Sequence, residues 1–319
     1  MKSFKSLVFS LMVIISAITM IGCSTSPAPA DTENIVEDVP TTITIKHELD
    51  EITVDKNPEK VIVFDYGILD ALDNIGEDII GLPKKSVPPY LDKYKGEEYI
   101  DLGTLQEPNF ETIYELKPDL IIISARQASL YDEFKKIAPT LYLNIDGGDY
   151  MNSFKFNMDA LGKIFDKEEL MAEKVTEIEA SVKDLNDFAK SNGKTGLFVM
   201  ANDGNLSAFG AGSRFGVLHN EFGVTPVDET IAPSTHGDKI SFEYIVEKDA
   251  DYIYVMDRAA IAGGDISAKQ VMDNDLIKST KAYKNDNIIY LDSYIWYVSS
   301  GGLTGTIKMV DEIQSSLEK

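Results

Sequence analysis

From Lys60 onward, short β-branched runs alternate with stretches whose apolar residues recur every three or four positions. KVIVFD reads as a strand, GILDALDNIG as an amphipathic helix and DIIGLP as a second strand. FETIYELKP then feeds the apolar run DLIIISA, and LYDEFKKIAP leads into TLYLNI. Buried strands alternating with helices predict βαβ units around a parallel sheet. The rhythm changes near Asp149. MNSFKFNMDALGKIF and DKEELMAEKVTEIEASVKDLNDFAKSN both carry helical spacing, with no Pro or Gly between Gly162 and Gly193. About 40 residues of helix between two α/β blocks predict a spine joining two lobes. After Gly193 the βα rhythm resumes with GLFVMAN, RFGVLHNEFG, FEYIVEKDA, DYIYVMD and NIIYLD, and closes on the helix TGTIKMVDEIQSSLEK. The division expected is an N-terminal lobe over 43–148, an interlobe helix over 149–192 and a C-terminal lobe over 193–319.

The chain also repeats itself. FETIYELKPDLIIISAR begins at Phe110 and FEYIVEKDADYIYVMDR at Phe242. At this offset Glu111 pairs with Glu243, Glu115 with Glu247, Asp119 with Asp251 and Arg126 with Arg258. Apolar matches are cheap among buried strands, whereas paired acids and paired arginines are not. Each copy predicts a helix, a tight turn, a buried strand and an arginine just past the strand's carboxyl end, where α/β sheets place ligand contacts.

Ahead of this body, Lys2 and Lys5 precede the apolar stretch Leu7 to Ile21, which is short for a membrane span and suits a secretory leader. Gly22-Cys23 follows, and Cys23 is the only cysteine in 319 residues. The leader is therefore expected over 1–22, with Cys23 lipidated and 23–42, rich in Ser, Thr, Pro and acids, acting as a flexible tether on the outer face of the cell membrane. Without the leader's two lysines the chain carries 28 basic and 53 acidic residues, a net charge of −25. Such a charge argues against a nucleic-acid partner and requires any anionic ligand to find a locally positive pocket.

Candidates for that pocket are few. The sequence holds 27 lysines but only three arginines, Arg126, Arg214 and Arg258. Lysine serves wherever plain charge is enough; arginine adds a planar, permanently charged fork suited to oxygen anions. Two of the three end the repeated strands, and Arg214 lies in the Gly-rich turn GAGSRFG, which opens a helix and so favours an anion too. A shared ligand and a set of interlobe salt bridges both account for them. His236 sits in the polar loop Ser-Thr-His-Gly, while His219 reads as a core histidine. Trp296 and Tyr297 fall on a post-strand segment before a Gly pair, suited either to a flat aromatic ligand or to lobe packing. No Gly-x-Ser-x-Gly, HExxH or P-loop pattern occurs, so the usual hydrolase and nucleotidase signatures are missing.

The leader with Cys23, PNFETIYELKPDLIIISAR, FGAGSRFG, STHG, the VMDR strand end and YLD…WYVSSGG together resemble the siderophore-binding lipoproteins of bacterial ABC importers, in particular the petrobactin and catecholate receptors of Gram-positive bacteria. The resemblance spans the mature chain. It implies an α/β fold of two Rossmann-like lobes with parallel sheets, joined by a long rigid helix, with the ligand cleft between lobes. It implies that Arg126, Arg214 and Arg258 surround a ferric tris-catecholate trianion, and that His236 and Tyr297 complete the iron shell when a siderophore offers four donors. It further implies that Glu111 and Glu243 dock on arginines of the permease; helix-start acids stabilising a dipole are the plainer alternative. The function expected is capture of a ferric catecholate-type siderophore by a monomer without catalytic residues or cofactor. The alternatives are another cargo (hydroxamate siderophore, haem or cobalamin) or an exported α/β enzyme with an anionic substrate.

Overall fold

A computed structural model describes residues 41–319. The leader, Cys23 and all but the end of the tether lie outside the described residues; the first strand already begins at Thr42, inside the span expected to be tether. That strand, Thr42–Lys46, pairs antiparallel with Glu51–Asp55 in a hairpin that the sequence reading did not anticipate.

Two larger sheets follow. The first is entirely parallel, in the order Ile100–Asp101, Gly81–Leu82, Val61–Val63, Leu120–Ile123, Thr140–Tyr142. Its central strands are buried on both faces: Val61 and Val63 enter one apolar cluster, while Ile62 enters another on the opposite side. This accounts for runs without polar alternation. The second sheet runs Asp238–Ile240, Asn205–Phe209, Thr195–Asn202, Tyr252–Asp257, Ile288–Leu291, with Thr225–Pro226 beside Thr195–Gly196. It is mixed, because Asn205–Phe209 and Asp238–Ile240 are antiparallel to their neighbours. The cause is a two-residue turn, Asp203-Gly204, with φ of 49° and 87°. Both residues are left-handed, as a turn matching strand twist requires.

The repeat is present in the structure. Helices Phe110–Leu116 and Phe242–Lys248 are both seven residues long, capped by Asn109 and Ser241, and both end in a left-handed residue, Lys117 and Asp249, at φ 49° and 43°. Asp119 and Asp251 each accept a backbone N–H at the start of the neighbouring strand, from Lys60 at 2.9 Å and Thr195 at 3.0 Å.

The connecting stretch is two helices, not one. Tyr150–Ile164 and Glu168–Asn192 break at Phe165–Lys167, where Asp166 adopts φ 51°, and the two pack on each other. The 25-residue second helix, about 37 Å long at 1.5 Å per residue, starts beside Glu77 of the first lobe through Lys167 and reaches Glu221 and Leu317 through Asn186 and Asn192. The last helix, Leu303–Leu317, packs on this spine and also on Tyr66–Ile75 of the first lobe. Its N-cap is Gly302, which has no side chain to offer the first turn. Asp70 supplies the missing acceptor from the other lobe, taking the Gly305 N–H at 2.8 Å. One apolar cluster runs from Ile45 through the spine to Leu317, so both lobes share a core.

Candidate ligand-binding site

The first sheet reverses its strand order between Val61–Val63 and Leu120–Ile123, and α/β sheets bind ligands outside the carboxyl ends at such a point. Asp65 and Ser124 follow these two strands. Asp65 caps helix Tyr66–Ile75 by accepting the N–H groups of Gly67 and Ile68, and its other oxygen accepts the Ser124 hydroxyl at 2.8 Å. Arg126 sits one turn further. Fully buried Gln127 holds that turn, accepting the Ser124 N–H at 3.1 Å and donating to the Leu105 carbonyl at 2.6 Å. A glutamine beside an arginine carries no signal of this in the sequence.

From the second lobe, Tyr297 rides on the short helix Ser293–Val298, whose N-cap is Asp292. Arg126 and Arg214 both donate to the Tyr297 carbonyl, at 2.6 and 2.8 Å, and Arg258 donates to its hydroxyl at 3.0 Å. The guanidinium carbons lie 5.5, 4.3 and 5.8 Å from the Tyr297 ring centre. All three arginines of the chain thus meet at one residue. Arg214 also stacks on Phe215, and Arg258 donates to Asn202 at 3.0 Å. No carboxylate closes the set: every recorded partner is neutral, which disposes of the salt-bridge explanation among the described residues.

The charge is consequently under-compensated. Burial, then the neighbouring Arg126, lowers the Arg214 guanidinium from its ordinary value to about 10. Burial works against ionisation of the Tyr297 phenol, but the Arg258 hydrogen bond and the three positive charges outweigh it, and its pKa is lowered. A half-buried site holding surplus positive charge is complementary to an oxygen-rich anion.

A cavity of about 710 Å³ opens in front, bounded by Arg126, Arg214, Tyr297, His236 and Asp65 among others. Arg258 is not on its wall and meets it only through Tyr297. His236 is exposed on the loop at the rim. Trp296 borders the cavity with its backbone side, since it is 0% exposed, donates to Glu312 at 2.8 Å and packs on Phe198 and Phe222. Its indole is a core element; Trp and Tyr alternate inward and outward on the same turn, which a pair of adjacent letters does not reveal. The turn around Arg214 opens only a single helical turn, Val217–Asn220, so a helix dipole adds little there. His219 is buried against the Val224 carbonyl at 2.8 Å, a structural histidine. Glu111 and Glu243 are exposed in the first turns of the repeated helices.

Comparison with known proteins agrees with this architecture. The model of the periplasmic binding protein family matches residues 61–295. The chain belongs to that family. It is 46% identical to the petrobactin-binding protein YclQ of Bacillus subtilis over the full length of both chains, and 35% identical to the ferric-anguibactin-binding protein FatB of Vibrio anguillarum over 97% of this chain and 98% of that one. The crystal structure of YclQ superposes with a TM-score of 0.85 over 87% of this chain and 99% of that chain, at 49% identity. The periplasmic catecholate-siderophore binding protein VctP of Vibrio cholerae gives 0.81 at 38% identity, over 86% and 99%. YclQ, FatB and VctP are named for what they bind: petrobactin, ferric anguibactin and a catecholate siderophore.

Proposed function

We propose that this protein captures a ferric catecholate-type siderophore of the petrobactin kind outside the cell and delivers it to an ABC permease, while a lipid on Cys23 holds it at the membrane. The observation that carries this reading is the meeting of the chain's three arginines at Tyr297, on the wall of a cavity lined from both lobes. A ferric tris-catecholate brings three negative charges to a place where positive charge is buried without an anionic partner. Neutral hydroxamate complexes would leave it uncompensated. The names borne by YclQ and VctP support the same cargo class. The lowered phenol of Tyr297 suits it to an anionic ligand atom, and His236 at the rim is the other side chain able to reach iron if a siderophore leaves coordination sites open.

Replacing Arg126 or Arg214 by Ala removes charge-assisted bonds worth about 1.5–3 kcal/mol each, a loss of roughly tenfold to hundredfold in affinity. Arg258→Ala acts through Tyr297 and should cost less. Titration calorimetry with a ferric tris-catecholate checks both, and melting of the ligand-free variants separates binding from folding. Arg214→Ala should melt no lower than wild type, because an under-compensated buried charge has been removed. If all three variants bind as wild type does, the arginine pocket is not the site. Glu111 and Glu243, exposed at equivalent places on the two lobes, are proposed to meet basic residues of the permease. Reversing both charges should leave affinity unchanged and sharply reduce iron uptake by cells; normal uptake would remove them from the docking surface.

A further inference from the structure

The helix that carries Tyr297 is held from behind by one carboxylate. Glu312, half-buried on the last helix and absent from the cavity wall, takes two donors at once. Its Oε1 accepts the Asp292 N–H at 2.9 Å, and its Oε2 accepts the Trp296 indole N–H at 2.8 Å. The first bond fixes the N-cap of helix Ser293–Val298, and the second fixes the residue next to Tyr297. A carboxylate suits this place because two N–H groups converge and each requires an oxygen. A glutamine would accept one of them and turn its own NH2 group on the other. Trp296 is fully buried, so an indole N–H deprived of its acceptor would be costly.

From Trp296 two lines of contact reach the arginines. Along the chain the next residue is Tyr297, whose carbonyl receives Arg126 and Arg214 at 2.6 and 2.8 Å. Through space, the indole packs on Phe198 with ring centres 5.5 Å apart, and Phe198 stacks on Phe215 at 4.5 Å and 13°. The Arg214 guanidinium carbon lies 5.3 Å from the Phe215 ring centre. Arg126 and Arg214 repel each other, and no carboxylate is among their recorded partners. Their spacing is therefore set by the carbonyl and the aromatic faces on which they rest. We propose that Glu312 is a positioning residue for ligand binding: without touching the ligand, it fixes the Trp296 indole, and through it the Tyr297 carbonyl and the Phe215 ring that aim the two guanidinium groups. The proposal rests on the reading of those arginines as the ligand site.

Glu312→Gln keeps the size and helix propensity of the side chain and removes one acceptor. Titration calorimetry with a ferric tris-catecholate, below the onset of melting, compares wild type, Glu312→Gln, Arg214→Ala and the double variant. Emission from Trp296, the only tryptophan, reports the indole in the same samples. Glu312→Gln should shift that emission and weaken binding about fivefold, the worth of one hydrogen bond. On the Arg214→Ala background the same change should cost only about twofold, through Arg126, because residues acting through one group are coupled. A purely structural role would lower the melting temperature and leave affinity as it was. Wild-type affinity in Glu312→Gln, or an undiminished loss on top of Arg214→Ala, overturns the proposal while leaving the arginine reading in place. Trp296→Phe removes the donor from the other end and should also weaken binding several-fold; full affinity there overturns the proposal however Glu312→Gln folds. If Arg214→Ala itself binds as wild type does, the arginine reading fails, and this proposal with it.

Discussion

Asp70 bridges the lobes with a single buried carboxyl group. Burial outweighs its hydrogen bonds from the Gly305 N–H and Thr304, and Asp73 adds repulsion, so its pKa is pushed up to about 6. A carboxyl raised in the folded state favours folding most when protonated. Its contribution is complete below the unfolded value near 4 and is lost as pH rises through about 6. The difference is on the order of 3 kcal/mol. Asp70→Asn should flatten this part of the profile, so the gap in denaturation midpoint between wild type and variant should change between pH 4.5 and pH 7.5; a constant gap would mean that Asp70 does not titrate there. Nothing in GILDALDNIG distinguishes Asp70 from the other acids of its helix, because its partner lies more than 200 residues away. The arginines were legible by their scarcity. What they bind in this structure was not, since two of them address a main-chain carbonyl, and backbone atoms leave no signature in a side-chain alphabet.

Among the elements, the repeated helix–turn–strand unit could be read, including the match of Asp119 with Asp251; that each of these aspartates ties its strand to a neighbour became visible only in the structure. The edge of the second sheet could not be read as one alternation, yet Asp203-Gly204 between GLFVMAN and NLSAF was the available clue. The break at Asp166 gave less warning, for a non-glycine residue in the left-handed region announces itself poorly. Glycine matters most at Gly147, on the strap entering helix Tyr150–Ile164. A Cβ there would lie 2.5 Å from the carbonyl oxygens of Ser213 and Arg214, and both are backbone atoms that cannot swing aside. Gly147→Ala should therefore displace the turn that carries Arg214. The expected result is a loss of about 1–3 kcal/mol of stability together with weaker ligand binding, measured by thermal melts and calorimetry on the same sample. Retention of both would mean that the strap moves freely.

At the level of the whole molecule, the apolar cluster shared by both lobes and the 25-residue spine leave little room for a wide hinge. Closure on ligand should be modest, so solution scattering should record only a small change in radius of gyration on saturation with ferric catecholate; a large decrease would require a hinge that this core does not permit. The two-lobed plan followed from the strand–helix rhythm alone. The sharing of the core did not, because the last helix packs on an element far behind it in the chain. That arrangement also bears on how the protein is made. An exported chain must stay threadable until it has crossed the membrane, and N-terminal units ordinarily fold first as they emerge. Here the first lobe lacks the cover for Tyr66–Ile75 until Leu303–Leu317 arrives. The helix Leu303–Leu317 is therefore needed before the first lobe can complete its core, and its removal should expose the apolar face of Tyr66–Ile75.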